Sequence, residues 1–284
     1  MVAYRSVLVV GLAVTTLLAC KSVKVEESMF IRPDSAVPYQ MKAAFDADAL
    51  KRVLPQATLK EEAVVIEPTL RLQGLSVKQP QAKVTVLYFG GNRSHIDDMA
   101  GILSRQVGAC PVNFTMFDYR GYGRTTGVPN VDNLKQDALR IYDQVRANTT
   151  GALVVHGHSL GSFMAGHVAQ NRSVDGMVLE TTATTIPEIV EARTPWYVRP
   201  FVSFEIAPSL MPIDNARAVS QFRGPSLVIT GAEDQITPSQ LGEKVFMAIP
   251  ATNKRHVFIP GAGHTGNLSR KEVQEAYCGF VRSF

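Results

Sequence analysis

The chain has 284 residues, of which 45% are hydrophobic and 19% are charged, a composition that excludes collagen-like and disordered proteins. The formal net charge is only +4 and no dense run of Lys and Arg appears, so the charge balance does not indicate a nucleic-acid partner. The three cysteines include no CxxC pair, which excludes a zinc-ribbon or dithiol redox motif by spacing.

The N-terminus has the pattern of an export signal. Arg5 precedes an uncharged apolar run over residues 7–19, and a helix of that length reaches only about 20 Å, too short to span a bilayer. The run ends in Leu-Leu-Ala-Cys at Cys20, which resembles a bacterial lipobox. This resemblance implies that residues 1–19 are a lipoprotein signal peptide and that lipidated Cys20 attaches the protein to the cell envelope, at the outer membrane or periplasmic face. An ordinary secretory signal or a short uncleaved anchor is the alternative.

The rest of the chain divides near residue 60. Residues 20–60 are predicted to be a tether and lead-in, because Pro33 and Pro38 interrupt regular structure. Beyond them, predicted strands cover 63–66, 70–77, 83–89, 112–119, 152–156, 176–180, 226–230 and 256–259. Predicted helices cover 96–107, 132–147, 160–171, 239–249 and 270–282. The alternation predicts an α/β domain over residues 61–284, with a mostly parallel central sheet and helices on both faces.

The most informative segment joins the strand at 152–156 to the helix that follows it. It reads Gly-His-Ser-Leu-Gly around Ser159, and a GxSxG sequence between a strand and a helix is the context of a nucleophile elbow. The glycines permit a tight turn that would hold the Ser159 hydroxyl above the sheet, with the backbone N–H of Leu160 facing a developing oxyanion. The alternative treats His156 and His158 as a metal-binding pair, although no third ligand with suitable spacing is evident.

A nucleophilic serine needs a base, and the base needs an orienting carboxylate. Asp234 and His264 each follow a predicted strand, at the sheet edge where catalytic groups collect in parallel α/β folds. The Gly-rich loop before His264 would bring the imidazole back over Ser159. Glu233 and Glu180 are alternative acids, since one adjoins Asp234 and the other ends the strand after the elbow.

These segments together resemble an α/β-hydrolase and, within that superfamily, the BEM46-like serine hydrolases. The resemblance is carried by the motifs at residues 90–92, 118–123, 157–161, 231–234 and 261–264. It implies Ser159 as nucleophile, Asp234 as acid and His264 as base, with the backbone N–H groups of Asn92 and Leu160 as the oxyanion hole. It implies neither a metal nor an organic cofactor. Asp118 and Arg120 are expected to brace the neighbouring loop through a buried pair or backbone hydrogen bonds.

The regular alternation breaks between residues 181 and 225, where α/β-hydrolases insert a cap. Five of the 16 prolines lie in this segment, together with many apolar side chains. Trp196, Tyr197 and Phe201 are predicted to line an acyl pocket above Ser159, because ligand pockets are mainly apolar. The alternative is that these aromatic side chains only pack the cap onto the body.

Cys110 and Cys278 are expected at the same end of the sheet, since one precedes a predicted strand and the other lies near the end of the last helix. In the fold that the resemblance implies, the elements that carry them lie on one face. Because an exported protein meets an oxidising compartment, these residues are predicted to form a disulfide, with two buried free thiols as the alternative.

The combined prediction is an envelope-anchored serine hydrolase without cofactor. It would cleave a carboxylic ester or thioester of a small acyl compound through an acyl-enzyme. An amidase or small-peptide hydrolase is the enzymatic alternative. A lipoprotein that keeps this fold only as a binding module is the non-enzymatic one.

Overall fold

The computed structural model describes residues 21–107 and 110–284. Its strands are β1 (Lys21–Val25), β2 (Thr58–Glu67), β3 (Leu70–Lys78), β4 (Val84–Phe89), β5 (Val112–Phe117), β6 (Ala152–His158), β7 (Gly176–Glu180), β8 (Val202–Ile206), β9 (Ser226–Gly231) and β10 (Lys254–Ile259). Its α-helices are α1 (Ala47–Lys51), α2 (Ile96–Gln106), α3 (Val131–Ala147), α4 (Leu160–Asn171), α5 (Ile186–Arg193), α6 (Asn215–Val219), α7 (Ser239–Ala248) and α8 (Lys271–Val281).

Eight of these strands form one twisted sheet in the order β10-β9-β7-β6-β4-β5-β3-β2. The pairs from β10 through β5 are parallel, whereas β3 pairs antiparallel with both β5 and β2. The central strands β4, β7 and β9 are buried at every position, as expected for parallel strands covered on both faces. The predicted α/β architecture is therefore observed.

Two apolar clusters cover the two faces of this sheet. Leu153 and Val155 of β6 belong to one cluster, whereas Val154 between them belongs to the other, because side chains alternate along a strand. Helices α3, α4 and α7 pack over the first face, and α2 and α8 pack over the second. A capping box formed by Asn130 and Asn133 fixes the start of α3. These helices hold the carboxyl ends of the strands in fixed positions.

The strand β2 is longer than predicted. It covers Thr58–Glu67 rather than 63–66, and its first half carries exposed Lys and Glu side chains. Such residues suit an edge strand, which pairs with only one neighbour and keeps one side in water. The hydrophobic pattern therefore predicted only residues 63–66, the part of β2 that contacts the core.

The N-terminal segment differs from the predicted tether. Residues Lys21–Val25 form β1, which pairs in parallel with β8 of the cap insertion, from Lys21 opposite Val202 to Val25 opposite Ile206. The N–H of Ala207 extends this ladder by donating to the carbonyl oxygen of Val25 at 2.9 Å. Cys20 and the predicted signal peptide lie outside the described residues. Within residues 21–107 and 110–284, no helix has the length and apolar character needed to cross a bilayer.

A disulfide joins Cys110, just before β5, to Cys278 in α8. The two Cα atoms are 5.4 Å apart although 168 positions separate the residues along the chain. The last helix is therefore linked covalently to the middle of the sheet. Its position matters for the site, because α8 follows the loop that carries His264.

Candidate active site

Ser159 lies in the sharp turn between β6 and α4. Its backbone has φ 53° and ψ −116°, a region that residues with a side chain rarely adopt. The turn requires glycine on both sides: a Cβ on Gly157 would overlap the carbonyl of Gly161, and a Cβ on Gly161 would overlap that of Phe89. The Ser159 N–H donates to the carbonyl oxygen of Glu180 at 2.9 Å, which ties the turn to the end of β7. The serine hydroxyl is thus presented above the sheet by a strained turn.

His264 contacts both Ser159 and Asp234. Its Nε2 is 2.8 Å from Ser159 Oγ, and its Nδ1 is 2.8 and 3.0 Å from the two carboxylate oxygens of Asp234. A carboxylate accepts hydrogen bonds, so Nδ1 carries the proton and the unprotonated Nε2 accepts from the serine hydroxyl. Three residues that are 105 and 30 positions apart in sequence are therefore aligned as hydroxyl, imidazole and carboxylate.

Asp234 is buried, and burial by itself would raise the pKa of its carboxyl. The adjacent His264 ring and hydrogen bonds from Thr237 outweigh burial, so the pKa of Asp234 is lowered from its ordinary value. The backbone N–H groups of Ile236 and Thr237 donate to one carboxylate oxygen at 2.8 and 2.9 Å. The carboxylate is consequently ionised and fixed in orientation at neutral pH.

The two alternative acids occupy other positions. Glu233 is exposed and its N–H donates to the carbonyl of Ala262, whereas Glu180 is buried with a carboxylate oxygen 3.3 Å from His156 Nε2. His156 also lies 3.2 Å from the hydroxyl of Tyr277, as expected for a core histidine. Asp234 is thus the carboxylate that the structure places against the Nδ1 of His264.

His158 lies directly beneath the turn. Burial lowers the pKa of this imidazole, so its ring is neutral at pH 7. Its Nε2 is 3.2 Å from the carbonyl oxygen of His264, a distance at which a protonated nitrogen donates. A Cβ on Gly91 would lie 2.8 Å from its other ring nitrogen, which explains the glycine at that position. His158 therefore supports the loop of His264 and the loop at residues 90–92 at once.

The backbone N–H groups of Asn92 and Leu160 both adjoin Ser159. Neither donates to a protein acceptor within the described part of the chain. The Asn92 side chain is occupied: its Oδ1 accepts from the N–H of Arg32 and from the hydroxyl of Tyr122, both at 3.0 Å. The Tyr119 hydroxyl donates to the carbonyl of Gly90 at 2.9 Å. Two tyrosines of the 118–123 motif and one residue of the lead-in thus hold this loop.

Asp118 and Arg120 act through separate partners, the first through backbone hydrogen bonds and the second through a largely buried ion pair. The Asp118 carboxylate accepts from the N–H groups of Ile96 and Arg124 at 2.9 and 2.8 Å, and burial raises its pKa to about 6. Arg120 instead makes a bidentate ion pair with Asp137 of α3, at 2.6 and 2.8 Å. Both residues brace the loop, as expected, but the partner of Arg120 lies on a helix.

A cavity of about 110 Å³ opens beside Ser159. Its walls come from the segment after β1, from α3, α4 and α5, and from the end of the cap. The apolar lining residues include Phe30, Leu134, Leu160, Phe163, Met164, Ile189 and Leu210. Among the described residues that line it, Arg193 is the one with a charged side chain. A larger depression of about 590 Å³ lies between Lys60 and Gly151, near the amino ends of the strands. It contacts none of Ser159, Asp234 and His264.

Trp196, Tyr197 and Phe201 do not line this cavity, which corrects their assignment as pocket residues. They project from the segment between α5 and β8, where their side chains are 79%, 61% and 46% exposed. The space that they were expected to fill is occupied by residues of α4 and α5 and by Phe30. Phe30 could not be recognised because its place in the wall depends on the pairing of β1 with β8, which brings a distant segment to the site.

Comparisons with known proteins agree with this architecture. A family model described as "Serine aminopeptidase, S33" matches residues 80–212. An uncharacterised Mycobacterium tuberculosis protein is 32% identical over 152 residues, 52% of each chain, so this chain spans about half the length of that relative. The protein bem46 of Schizosaccharomyces pombe is 26% identical over 208 residues, 72% of this chain and 68% of its own. The relatives thus include the protein whose branch the sequence resembles.

Two further matches extend the comparison. The "Lysophosphatidylserine lipase ABHD12" of Macaca fascicularis is 28% identical over 194 residues, 62% of this chain and 48% of its own. Among solved structures, the Pyrococcus furiosus esterase Pf2001 superposes with a TM-score of 0.67 at 16% identity, covering 90% of this chain and 98% of its own. At that identity the superposition establishes the fold alone, and it is the fold predicted from the sequence.

Proposed function

We propose that this chain, which has the α/β-hydrolase fold, is a serine hydrolase that cleaves acyl esters or thioesters at the membrane of the cell envelope. The observation that carries the proposal is the alignment of Ser159, His264 and Asp234 beside two N–H groups that have no protein acceptor among residues 21–107 and 110–284. The match to a hydrolase family and the fold shared with an esterase support it.

The geometry supports a two-stage reaction. His264 Nε2 removes the proton from Ser159 Oγ as the oxygen attacks the acyl carbon, and the Asp234 carboxylate stabilises the imidazolium that forms. The N–H groups of Asn92 and Leu160 then stabilise the tetrahedral oxyanion. The imidazolium returns its proton to the departing alcohol or thiol, which leaves an ester on Ser159. Water, activated by the same nitrogen, hydrolyses this ester and regenerates the serine.

The cavity beside Ser159 indicates the substrate class. Its walls are apolar, so it suits an acyl chain better than a polar group. An aminopeptidase would need a carboxylate for the free ammonium of its substrate, but the charged side chain in this wall is Arg193. A cation there favours substrates with an anionic group beyond the acyl chain. The name of the ABHD12 relative agrees with that chemistry, so a single-chain acyl lipid ester is the substrate that we propose.

A fluorescent fluorophosphonate and a series of p-nitrophenyl esters test the reaction. Wild-type protein should be labelled and should turn over the esters, whereas Ser159→Ala should lose both properties. Ser203→Ala removes an exposed hydroxyl in β8 and should keep both, which makes it the matched control. A folded wild-type protein that is neither labelled nor active on any ester would refute the proposed reaction.

The proposed anchor has a separate test. Cells grown with radiolabelled palmitate should incorporate the label into the full chain, which should sediment with membranes. Cys20→Ala should abolish the incorporation. Label that persists in this variant would show that Cys20 is not the acylated residue.

A further inference from the structure

The N-terminus and the cap form one structural unit. β1 begins at Lys21, immediately after Cys20, and all five of its residues pair with the cap strand β8. Paired strands lie about 4.8 Å apart, and consecutive Cα atoms about 3.8 Å. A membrane anchor at Cys20 would therefore leave no spacer between the bilayer and the cap.

The cap carries an unusual number of exposed apolar side chains. Of the 13 large hydrophobic residues that are exposed within the described part of the chain, five lie between residues 196 and 211. These five are Trp196, Tyr197, Phe201, Phe204 and Met211, and together they are called the cap patch below. The rings of Trp196 and Tyr197 contact each other at 5.9 Å between centroids. Such a concentration is characteristic of an interaction surface.

We infer that the cap patch inserts into the interfacial layer of the lipid bilayer to which the N-terminus is attached. This inference rests on the proposed anchoring at Cys20. Trp and Tyr favour the membrane–water interface, where an apolar ring is buried while its polar edge stays hydrated. Phe201 adjoins Val202, the residue paired with Lys21, so part of the patch lies next to the attachment point.

The docked orientation connects the bilayer to Ser159. Met29, Phe30 and Ile31 follow β1 after three intervening residues and line the cavity beside the serine. Met29 is about half exposed, so it lies at the mouth of the cavity. An acyl lipid that leaves the bilayer at the cap patch would pass these residues on its way to the serine. Substrate would thus enter from the membrane and not from bulk water.

Trp196 is the only tryptophan in the chain, so intrinsic tryptophan fluorescence reports on the cap patch alone. The full chain would be reconstituted in vesicles of phosphatidylcholine and phosphatidylglycerol that carry brominated acyl chains at graded depths. Shallow bromine should quench Trp196 more strongly than deep bromine. For the control, Trp196→Phe is combined with Phe284→Trp, since Phe284 packs near Gly176 at the amino end of β7, the end away from Ser159. That tryptophan should not be quenched.

Equal quenching of the two tryptophans, or none at position 196 in protein that sediments with the vesicles, would overturn the inference. Protein that does not sediment with vesicles would instead refute the anchoring on which it rests. Fluorophosphonate labelling is independent of both results, so a failure of the proposed reaction is recognised separately.

A double variant tests the route of the substrate. Trp196→Glu with Tyr197→Glu places two charges where the bilayer would lie but leaves the walls of the cavity unchanged. We expect turnover of an acyl ester embedded in vesicles to fall about tenfold or more. Turnover of soluble p-nitrophenyl acetate should stay at the wild-type rate. Equal activity of wild type and double variant on the embedded ester would overturn the proposed entry from the membrane.

Discussion

The body of the molecule and its cap differ in how their apolar side chains are packed. In the body, parallel strands are buried on both faces, and the turn at Ser159, the loop of Asp234 and the loop of His264 are held by close packing and hydrogen bonds. In the cap, short elements leave large apolar side chains in water, and β8 finds its partner in the distant N-terminal strand. Under the proposed function, the chemistry would depend on the body, whereas substrate access and location at the membrane would depend on the cap.

The largest effect is expected within the body. Asp234→Asn removes the charge that stabilises the imidazolium and favours the wrong tautomer of His264, so kcat should fall roughly 10³- to 10⁴-fold. Glu233→Gln changes a neighbouring carboxylate that does not contact the imidazole and should change kcat little. Steady-state kinetics on one soluble ester measures both variants. A loss of similar size in Glu233→Gln would show that the carboxylate has been assigned wrongly.

The pKa of Asp234 predicts a pH dependence of stability. Because its folded pKa is below the ordinary value, the contribution of this carboxylate to stability is present above the unfolded pKa and is lost as pH falls through the folded one. Urea denaturation between pH 6 and about pH 3 should therefore show a steeper acid loss for wild type than for Asp234→Asn. Parallel curves for the two proteins would contradict this coupling.

Next in size is the covalent link between α8 and the sheet. Replacing both Cys110 and Cys278 with alanine should lower the free energy of unfolding by about 2–4 kcal/mol, because the open loop gains freedom in the unfolded chain. Kinetic constants at 25 °C should change little, since neither cysteine lines the cavity beside Ser159. Urea unfolding of oxidised wild type, reduced wild type and the double variant gives the comparison. Coincident unfolding curves for all three proteins would show that the disulfide does not stabilise the fold.

A substitution in the cavity wall and one on the cap surface should have different effects on the preference for acyl chain length. Ile189→Trp on α5 reduces the space beside Ser159 and should lower kcat/KM for long esters about 10- to 100-fold relative to acetate. Trp196→Ala, which alters only the exposed surface of the cap, should leave the chain-length profile on soluble esters unchanged. A shifted profile in Trp196→Ala would mean that this side chain closes over bound substrate.

The smallest effect is expected at the loop beside the oxyanion. Tyr122→Phe removes one hydrogen bond to the Asn92 side chain, worth about 0.5–1.5 kcal/mol, so kcat should fall several-fold with little change in KM. Tyr142→Phe removes a comparable bond to the carbonyl of Ser173, which lies outside the cavity wall. That control should lower stability without lowering kcat. Equal kcat in the two variants would argue against a positioning role for Tyr122.

The sequence predicted the body of the molecule better than it predicted the cap. Strands such as β4 and β6 are rich in apolar residues, and the turn at Ser159 is specified by residues within five positions, so both are local signals. His264 and Asp234 follow buried strands, which brings them to one sheet edge. The positions of Ser159, Asp234 and His264 therefore follow from local signals in the sequence.

Contacts between distant segments were not predictable in this way. The β1 sequence is polar and short, and nothing in it indicates a partner about 180 residues away. The aromatic composition of the cap predicted an acyl pocket, but it did not give the direction of the Trp196 side chain, which depends on how that segment turns. Arg120 likewise pairs with Asp137 on a helix instead of the nearer Asp118.

The backbone conformation of Ser159 has a consequence for the history of the chain. A serine with positive φ costs of order 1–3 kcal/mol, and glycine would adopt the same turn without that penalty. Ser159→Gly should therefore make a more stable and inactive protein. A lineage that had abandoned chemistry and kept the fold only to bind would be free to drift toward that replacement. The strained serine lowers the stability of the fold, and this cost has no compensating benefit in a protein that does not use the Ser159 hydroxyl.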